Sequence, residues 1–286
     1  MKVIAAVFAS LLLAAAAAGQ TIDNYVDYFI VKVKPEKRAD FDGVARRIAV
    51  ANSRANGDRW IAYEPIYGET NTVYFASSRK DLAAIDTGVE SFIRAMKESI
   101  GPNFEAVFHD MNACTVSARG EIRRRRIDLS SGVPDNQEQY GKRLGAARYI
   151  RTTTIRIRPG TAPQFEELAR TVAKVTAQRE PERMFAVSQT VAGQPGTVYY
   201  VADFQTKLAG FEPNSQSMRD AMGEEAYGQF EKRVGESVLG METMIAKFLP
   251  EISNPPDATV NASPAFWKPE PAAAMADRAP KPKAKK

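Results

Sequence analysis

Apolar residues along this chain switch between two spacings, and the switches come in an order that is used twice. Over 25–34, β-branched and aromatic residues alternate with polar ones, the period of a strand, and Pro35 ends the run. Phe41, Val44, Ala45 and Ile48 then recur at helical spacing as far as Asn56-Gly57. Residues 60–66 and 72–77 read as two strands of a hairpin around Gly68. Helical patterning returns from Asp81, with breaks expected at Thr87-Gly88 and Gly101-Pro102. Phe104, Val107, Phe108, Met111 and Cys114 then form one apolar helical stripe, and a strand over 121–129 is expected to close the unit. The order is β-α-β-β-α-β, that of a ferredoxin-like domain.

The same order returns about 124 residues later. Val31-Lys32-Val33-Lys34-Pro35 with Phe41 is echoed by Ile155-Arg156-Ile157-Arg158-Pro159 with Phe165. Thr72-Val73-Tyr74-Phe75 is echoed by Thr197-Val198-Tyr199-Tyr200, the run 96–101 by 218–223, and Phe108 by Phe230. A repeat this long is a small domain rather than a solenoid turn. The expected divisions are a first unit at 20–131, a polar linker at 132–145 and a second unit at 146–253. The second unit carries strands at 149–158, 183–191, 197–203 and 241–249 and a helix capped by Thr161. From 254 to 286 prolines interrupt alanines and lysines, and this tail is expected to be disordered.

Composition narrows the function classes. A length of 286 residues suffices for two cores. The net charge of +5 collects mostly at the ends of the chain, so no broad basic face for nucleic acid is expected. Cys114 is the only cysteine, which rules out an internal disulfide, and its place on an apolar stripe predicts burial. Lys2, the apolar run 3–13 and the small residues Ala16 and Ala18 read as an export signal over 1–19, cleaved after Ala18 or Gly19. The mature chain is therefore expected in the periplasm or secreted, with no transmembrane segment left after cleavage.

An antiparallel sheet with helices on one face needs cover for the other, and two copies in one chain can supply it by closing a barrel. In element order, in its paired strand-Pro-helix segments and in its duplication, the stretch 23–252 resembles the dimeric α+β barrel superfamily. In particular, it resembles tandem antibiotic-biosynthesis-monooxygenase-like, ferredoxin-like domains. The resemblance implies an α+β fold: two tandem units packed as an intramolecular pseudo-dimeric barrel, in a monomer. It also implies a ligand cavity inside the barrel or between sheet and helices. Members of the superfamily include cofactor-free quinone-forming monooxygenases and haem enzymes.

Candidate chemistry is sparse. His109 is the only histidine; a helical wheel turns it to solvent, and the matching position of the second unit is Glu231. The related tandem haem enzymes carry their ligand histidine in the second domain, where this chain has none, so no cofactor is expected. One His and one Cys cannot build a nitrogen/sulfur metal site, and no metal is expected either. Arg123-Arg124-Arg125-Arg126 has no counterpart in the aligned Ile245-Ala246-Lys247-Phe248. On a strand Arg124 and Arg126 share one side and Arg123 and Arg125 the other, which suits either a single anion site or an exposed strand paired with Glu121. Tyr28, Trp60, Tyr63, Tyr74, Tyr199 and Tyr200 stand on the expected strands, as core or as cavity lining. The candidate ligand set is Tyr28, Tyr63, Tyr74, Arg124 and Arg126, suited to a small acidic or aromatic molecule. The expected role is small-molecule binding without conventional catalysis. The alternatives are a cofactor-independent monooxygenase acting on an aromatic or phenolic substrate, or a protein-interaction module.

Overall fold

The computed structural model describes residues 21–212 and 218–268; the expected export signal and the stretch 269–286 of the tail lie outside the described residues. The first half runs β1 (Tyr25–Val33), α1 (Arg38–Arg54), β2 (Ile61–Tyr67), β3 (Thr72–Arg79), α2 (Ala83–Ile100), α3 (Phe104–Ala113) and β4 (Thr115–Arg125). A helix α4 (Gln137–Ala146) follows. The second half runs β5 (Tyr149–Ile157), α5 (Ala162–Arg179), β6 (Phe185–Ala192), β7 (Thr197–Gln205), α6 (Met218–Met222), α7 (Glu224–Ser237) and β8 (Val238–Phe248). Two short helices, α8 (Asp257–Ala262) and α9 (Pro264–Trp267), end the described chain.

Each half forms a four-stranded antiparallel sheet, β4-β1-β3-β2 and β8-β5-β7-β6, the strand order of a ferredoxin-like unit. The sheets join edge to edge, β2 to β8 and β4 to β6, and close an eight-stranded barrel. Closure leaves no sheet edge around the circuit and gives each bare face the other as cover. The architecture is a dimeric α+β barrel built within one chain.

Strand alternation sorts side chains into three layers. Outward on the first sheet, Val31, Val33, Ala62 and Val73 pack with Phe41 and Ile48 of α1 and with Phe104 and Val107 of α3. Cys114 is buried in that layer, as its stripe predicts, and His109 on α3 is exposed. Burial of a side chain such as Phe41, with none of its surface left to water, contributes about 2–3 kcal/mol. Outward on the second sheet, Ile155, Ile157, Val187 and Tyr199 pack on Phe165 of α5. The inward faces carry Ile61, Tyr63, Ile150, Ala246 and Phe248, which form the barrel core.

Several expectations need correcting. β4 begins at Thr115 rather than at Glu121 and stops at Arg125, where a 3-10 turn (Ile127–Leu129) takes over. Its first residues are small or polar and largely exposed, so pairing with β1 rather than an alternating pattern makes them a strand. β8 likewise begins at Val238. Gly88 does not break α2: it makes room for the Arg79 guanidinium, which a Cβ there would meet at 2.5 Å. The Thr161 hydroxyl does not cap α5; it donates to the Arg158 and Ser237 carbonyls.

The linker and the tail also hold more structure than their composition suggests. The stretch 132–145 contains most of α4, capped by the Asn136 side chain, which accepts from the Gln139 N–H at 2.9 Å. Residues 254–268 are packed, not disordered. Pro256 precedes α8 and Pro264 opens α9, positions where the missing N–H costs nothing, so these prolines start helices rather than prevent them. Val260 and Trp267 supply the buried apolar surface. Among the described residues no helix is long and apolar enough to cross a membrane.

Candidate functional site

A cavity of about 400 Å³ lies inside the barrel at the end covered by α4 and α8. Its depth follows from strand register. Near the cover, Val26, Ile61, Ile150, Ala202, Phe204 and Phe248 make apolar walls, to which α4 adds Leu144. One layer further in, Tyr28, Tyr63, Arg123, Thr152, Ser188 and Tyr200 make a polar floor. Small residues allow the cover to sit close. A Cβ at Gly141 would touch Ala258 at 3.1 Å, and one at Gly145 would overlap the Thr259 carbonyl, so both α4 glycines meet α8 without side chains.

Arg123 is the centre of the floor. It is 3% exposed, and its Cζ lies 4.1 Å from the Tyr28 ring centroid and 3.4 Å from that of Tyr200, so an aromatic ring covers each face. Its Nε–H donates to Glu121 Oε1 at 2.7 Å. Nη1 and Nη2 have no hydrogen-bond partner among the described residues. Burial opposes the charge, but Tyr28, Glu121 and the neighbouring phenols outweigh it and raise the pKa, so Arg123 is a permanent cation. Glu121, 1% exposed, accepts in addition from Arg119 at 2.8 Å and from Gln194 at 3.1 Å. Burial would raise its pKa; the Arg123 charge and these hydrogen bonds prevail and lower it.

Three phenols near this ion pair are held towards their neutral form. Burial pushes Tyr63 well above its ordinary value, Tyr74 upward, and Tyr200 up to about 12. Tyr63 stacks on Tyr74 with centroids 4.9 Å apart and meets Phe248 edge-on, which fixes its ring. Four lining residues hold a buried side-chain oxygen without a hydrogen-bond partner: Tyr63, Thr152, Tyr200 and Thr259. The Tyr200 hydroxyl lies beside Glu121 without hydrogen-bond geometry to it, and Thr259 Oγ1 lies close to Gly141. The Tyr63 hydroxyl likewise lies beside Tyr28, which leaves Thr152 Oγ1 as a buried oxygen of the wall without a hydrogen-bond partner.

Of the five residues the sequence singles out, two line the cavity, Tyr28 and Tyr63, and Tyr74 backs Tyr63. Neither Arg124 nor Arg126 lines this cavity; Arg123 and Arg125 do. Arg124 points outward and is exposed. Arg126 lies beyond the end of β4, in the outer layer of the second unit, where it bonds to Asp128, Glu166 and Gln189. The alternation is as expected, but period two does not say which side becomes the barrel's interior. Arg123 and Arg125 take that side because Arg123 pairs with Val26 of β1, which itself lines the cavity, and Arg125 stands two residues further on. Arg125 donates to the carbonyls of Asp23 and Tyr25 and to Ser78 Oγ. Thr152, α4 and α8 carry no sequence signal as site elements, since nothing local marks a threonine or a Pro-flanked segment as cavity lining.

A second concavity, about 370 Å³, lies on the other face of the first sheet among Phe29, Phe75, Phe92 and Phe108. Arg79 forks onto Asp58 at 2.6 and 2.7 Å and reaches Asp27 at 3.4 Å, while its buried Nε has no hydrogen-bond partner among the described residues. No cluster of three or more His, Cys, Asp or Glu side chains comes together among the described residues. With His109 on the outside of α3 and Cys114 in the outer core, the barrel cavity has no imidazole or thiolate to hold a haem iron.

No family model matches this chain, and no curated protein sequence matches it. Solved structures do resemble it. A candidate monooxygenase from Fusobacterium nucleatum is 11% identical with a TM-score of 0.49, over 80% of this chain and 93% of that one. An anthrone oxidase-like protein is 11% identical with a TM-score of 0.49, over 79% and 92%. A haem-binding protein from Thermus thermophilus is 11% identical with a TM-score of 0.43, over 82% and 95%. Likeness at this level carries no argument about activity; the barrel assignment rests on strand order and register.

Proposed function

We propose that this chain binds a small organic molecule inside the barrel and holds it without covalent chemistry. The observation that carries the reading is a barrel cavity whose floor holds hydrogen-bonding capacity that the protein does not use. Arg123 lines it with both Nη groups free of hydrogen bonds among the described residues, and the buried hydroxyls of Tyr63 and Thr152 stand in the same wall without a hydrogen bond. A buried polar group left unmet costs about 1–3 kcal/mol, so a ligand that meets several of them recovers that cost on binding.

Oxygenation of a phenol would need a base to remove its proton. Burial raises the pKa of the Tyr63 and Tyr200 phenols, and Glu121 is committed to three donors. Binding is therefore the better-supported reading. The export pattern of Lys2, the apolar run and Ala16/Ala18 supports work outside the cytoplasm, as a monomer whose barrel is closed by its own two halves.

Native mass spectrometry of gently purified protein tests both parts. The expected spectrum shows one chain starting at Gly19 or Gln20 with an added small mass that denaturation removes. A bare chain that also gains no mass from a metabolite extract would overturn the binding reading, and an intact N-terminus would overturn the export reading.

A further inference from the structure

Resting on that reading, we infer that the ligand is an amphipathic carboxylic acid with an apolar body of about two rings, bound with its carboxylate on the Arg123 fork. The guanidinium leaves a ligand only one approach. Tyr28 and Tyr200 cover its faces and Glu121 takes Nε, so the edge formed by Nη1 and Nη2 is what remains. That edge matches the two oxygens of a carboxylate, which can accept both N–H groups side by side.

Charge on the lining selects the same class. Arg59, Arg123 and Arg125 stand against one carboxylate, Glu138, which is itself paired with Lys142 at 2.6 Å. Arg59 faces Asp257 only at 3.8 Å, and the hydrogen bonds of Arg125 go to uncharged acceptors. Glu121 offsets one positive charge, but Arg119 bonds to it as well. An anion therefore enters a field that favours it, and a cation does not.

Arg59, Arg125 and Glu138 stand at the cover, where Arg125 lies over the Tyr140 ring of α4. Arg123, with its free Nη edge, stands two residues along β4 from Arg125, and apolar walls line the space beside it. The acid group consequently seats on that edge and the hydrocarbon body lies between the Phe204 and Phe248 walls. Size follows from volume: a cavity of about 150 Å³ holds one benzene, so about 400 Å³ suits two rings and a carboxylate.

Isothermal titration of the full chain with three probes of one shape tests the class: 2-naphthoate, its neutral methyl ester, and 2-naphthylmethylammonium. The acid is expected to bind at least tenfold more tightly than the ester, and the ammonium at least tenfold more weakly than the ester. The comparison uses the wild-type chain, so no variant has to fold. The paired variant Glu121→Gln/Arg123→Met, which removes both charges together, is expected to bind acid and ester alike. Ester binding as tight as acid binding in the wild-type chain overturns the carboxylate class while leaving the cavity a binding site. No binding by any probe also overturns the class, and the native spectrum then decides the broader reading by itself. Ala186→Leu fills the cavity from β6; naphthoate binding that it leaves unchanged would place the ligand elsewhere and overturn both.

Discussion

Removing the Trp267 side chain tests how the cavity is closed. Trp267 is 2% exposed, packs on Phe248 and Phe266 at centroid distances of 5.6 and 5.0 Å, and donates its indole N–H to the Gly145 carbonyl at 2.8 Å. Trp267→Ala deletes this contact with α4, and truncations of buried aromatic residues of this kind cost about 3–5 kcal/mol. The loss falls on the docking of 254–268, not on the barrel, because no strand of the barrel hydrogen-bonds through the indole. At about 1.4 kcal/mol per tenfold, amides of α8 should exchange with solvent roughly 100- to 3,000-fold faster. The amides of Thr259 and Val260, both bonded to the Pro256 carbonyl, are the reporters. Hydrogen-exchange mass spectrometry should show this acceleration in α8 and α9, with the amides of β1, β3, β5 and β7 unchanged. The other tryptophan, Trp60, lines the cavity, so its emission should also shift red in the variant. Unchanged exchange in α8 would refute the idea that Trp267 anchors the cover. Equal acceleration in the barrel strands would refute the idea that cover and barrel open separately.

Two further outcomes follow from the arginine run. Hydrogen bonds from Arg126 hold the Glu166 and Asp128 carboxyls at about 2, below their unfolded values of roughly 4. Their contribution to stability is therefore complete above about pH 5 and fades as the pH falls towards 2. In urea melts across that range Arg126→Met should lower stability at pH 7 and flatten the acid decline; an unchanged slope would refute the linkage. Arg124→Ala, by contrast, removes an exposed, outward side chain and should leave both ligand affinity and stability unchanged to within about 0.5 kcal/mol, as read by titration and melting; a larger drop in affinity would put the site on the wrong face of β4.

Much of the fold was legible because its causes are local and repeated. The strand-Pro-helix segments at Pro35 and Pro159, the hairpins and the stripe around Phe104 each carry their own pattern, and the duplication shows that two such units exist. Where pattern was weak, the reading slipped. The start of β4 is a strand because β1 pairs with it, and α8 and α9 are helices because Val260 and Trp267 find a surface on the barrel's end. Composition counted the prolines of the tail as breakers and could not register that Pro256 and Pro264 fall at helix starts.

The candidate site divides in the same way. Sequence alone determined that four consecutive arginines sit in one half only, that their side chains alternate, and that tyrosines accompany them on neighbouring strands. It also determined which residues could share a face, since strand geometry fixes that at a period of two. Which face becomes the inside is a property of closure: β2 must meet β8 and β4 must meet β6 before either side of β4 is an interior. Only then do Arg123 and Glu121 become a buried pair, Tyr28 and Tyr200 from opposite halves enclose one guanidinium, and Gly141 and Gly145 let the cover settle over it. Those contacts join residues far apart in sequence, and their energies exist only in the closed barrel.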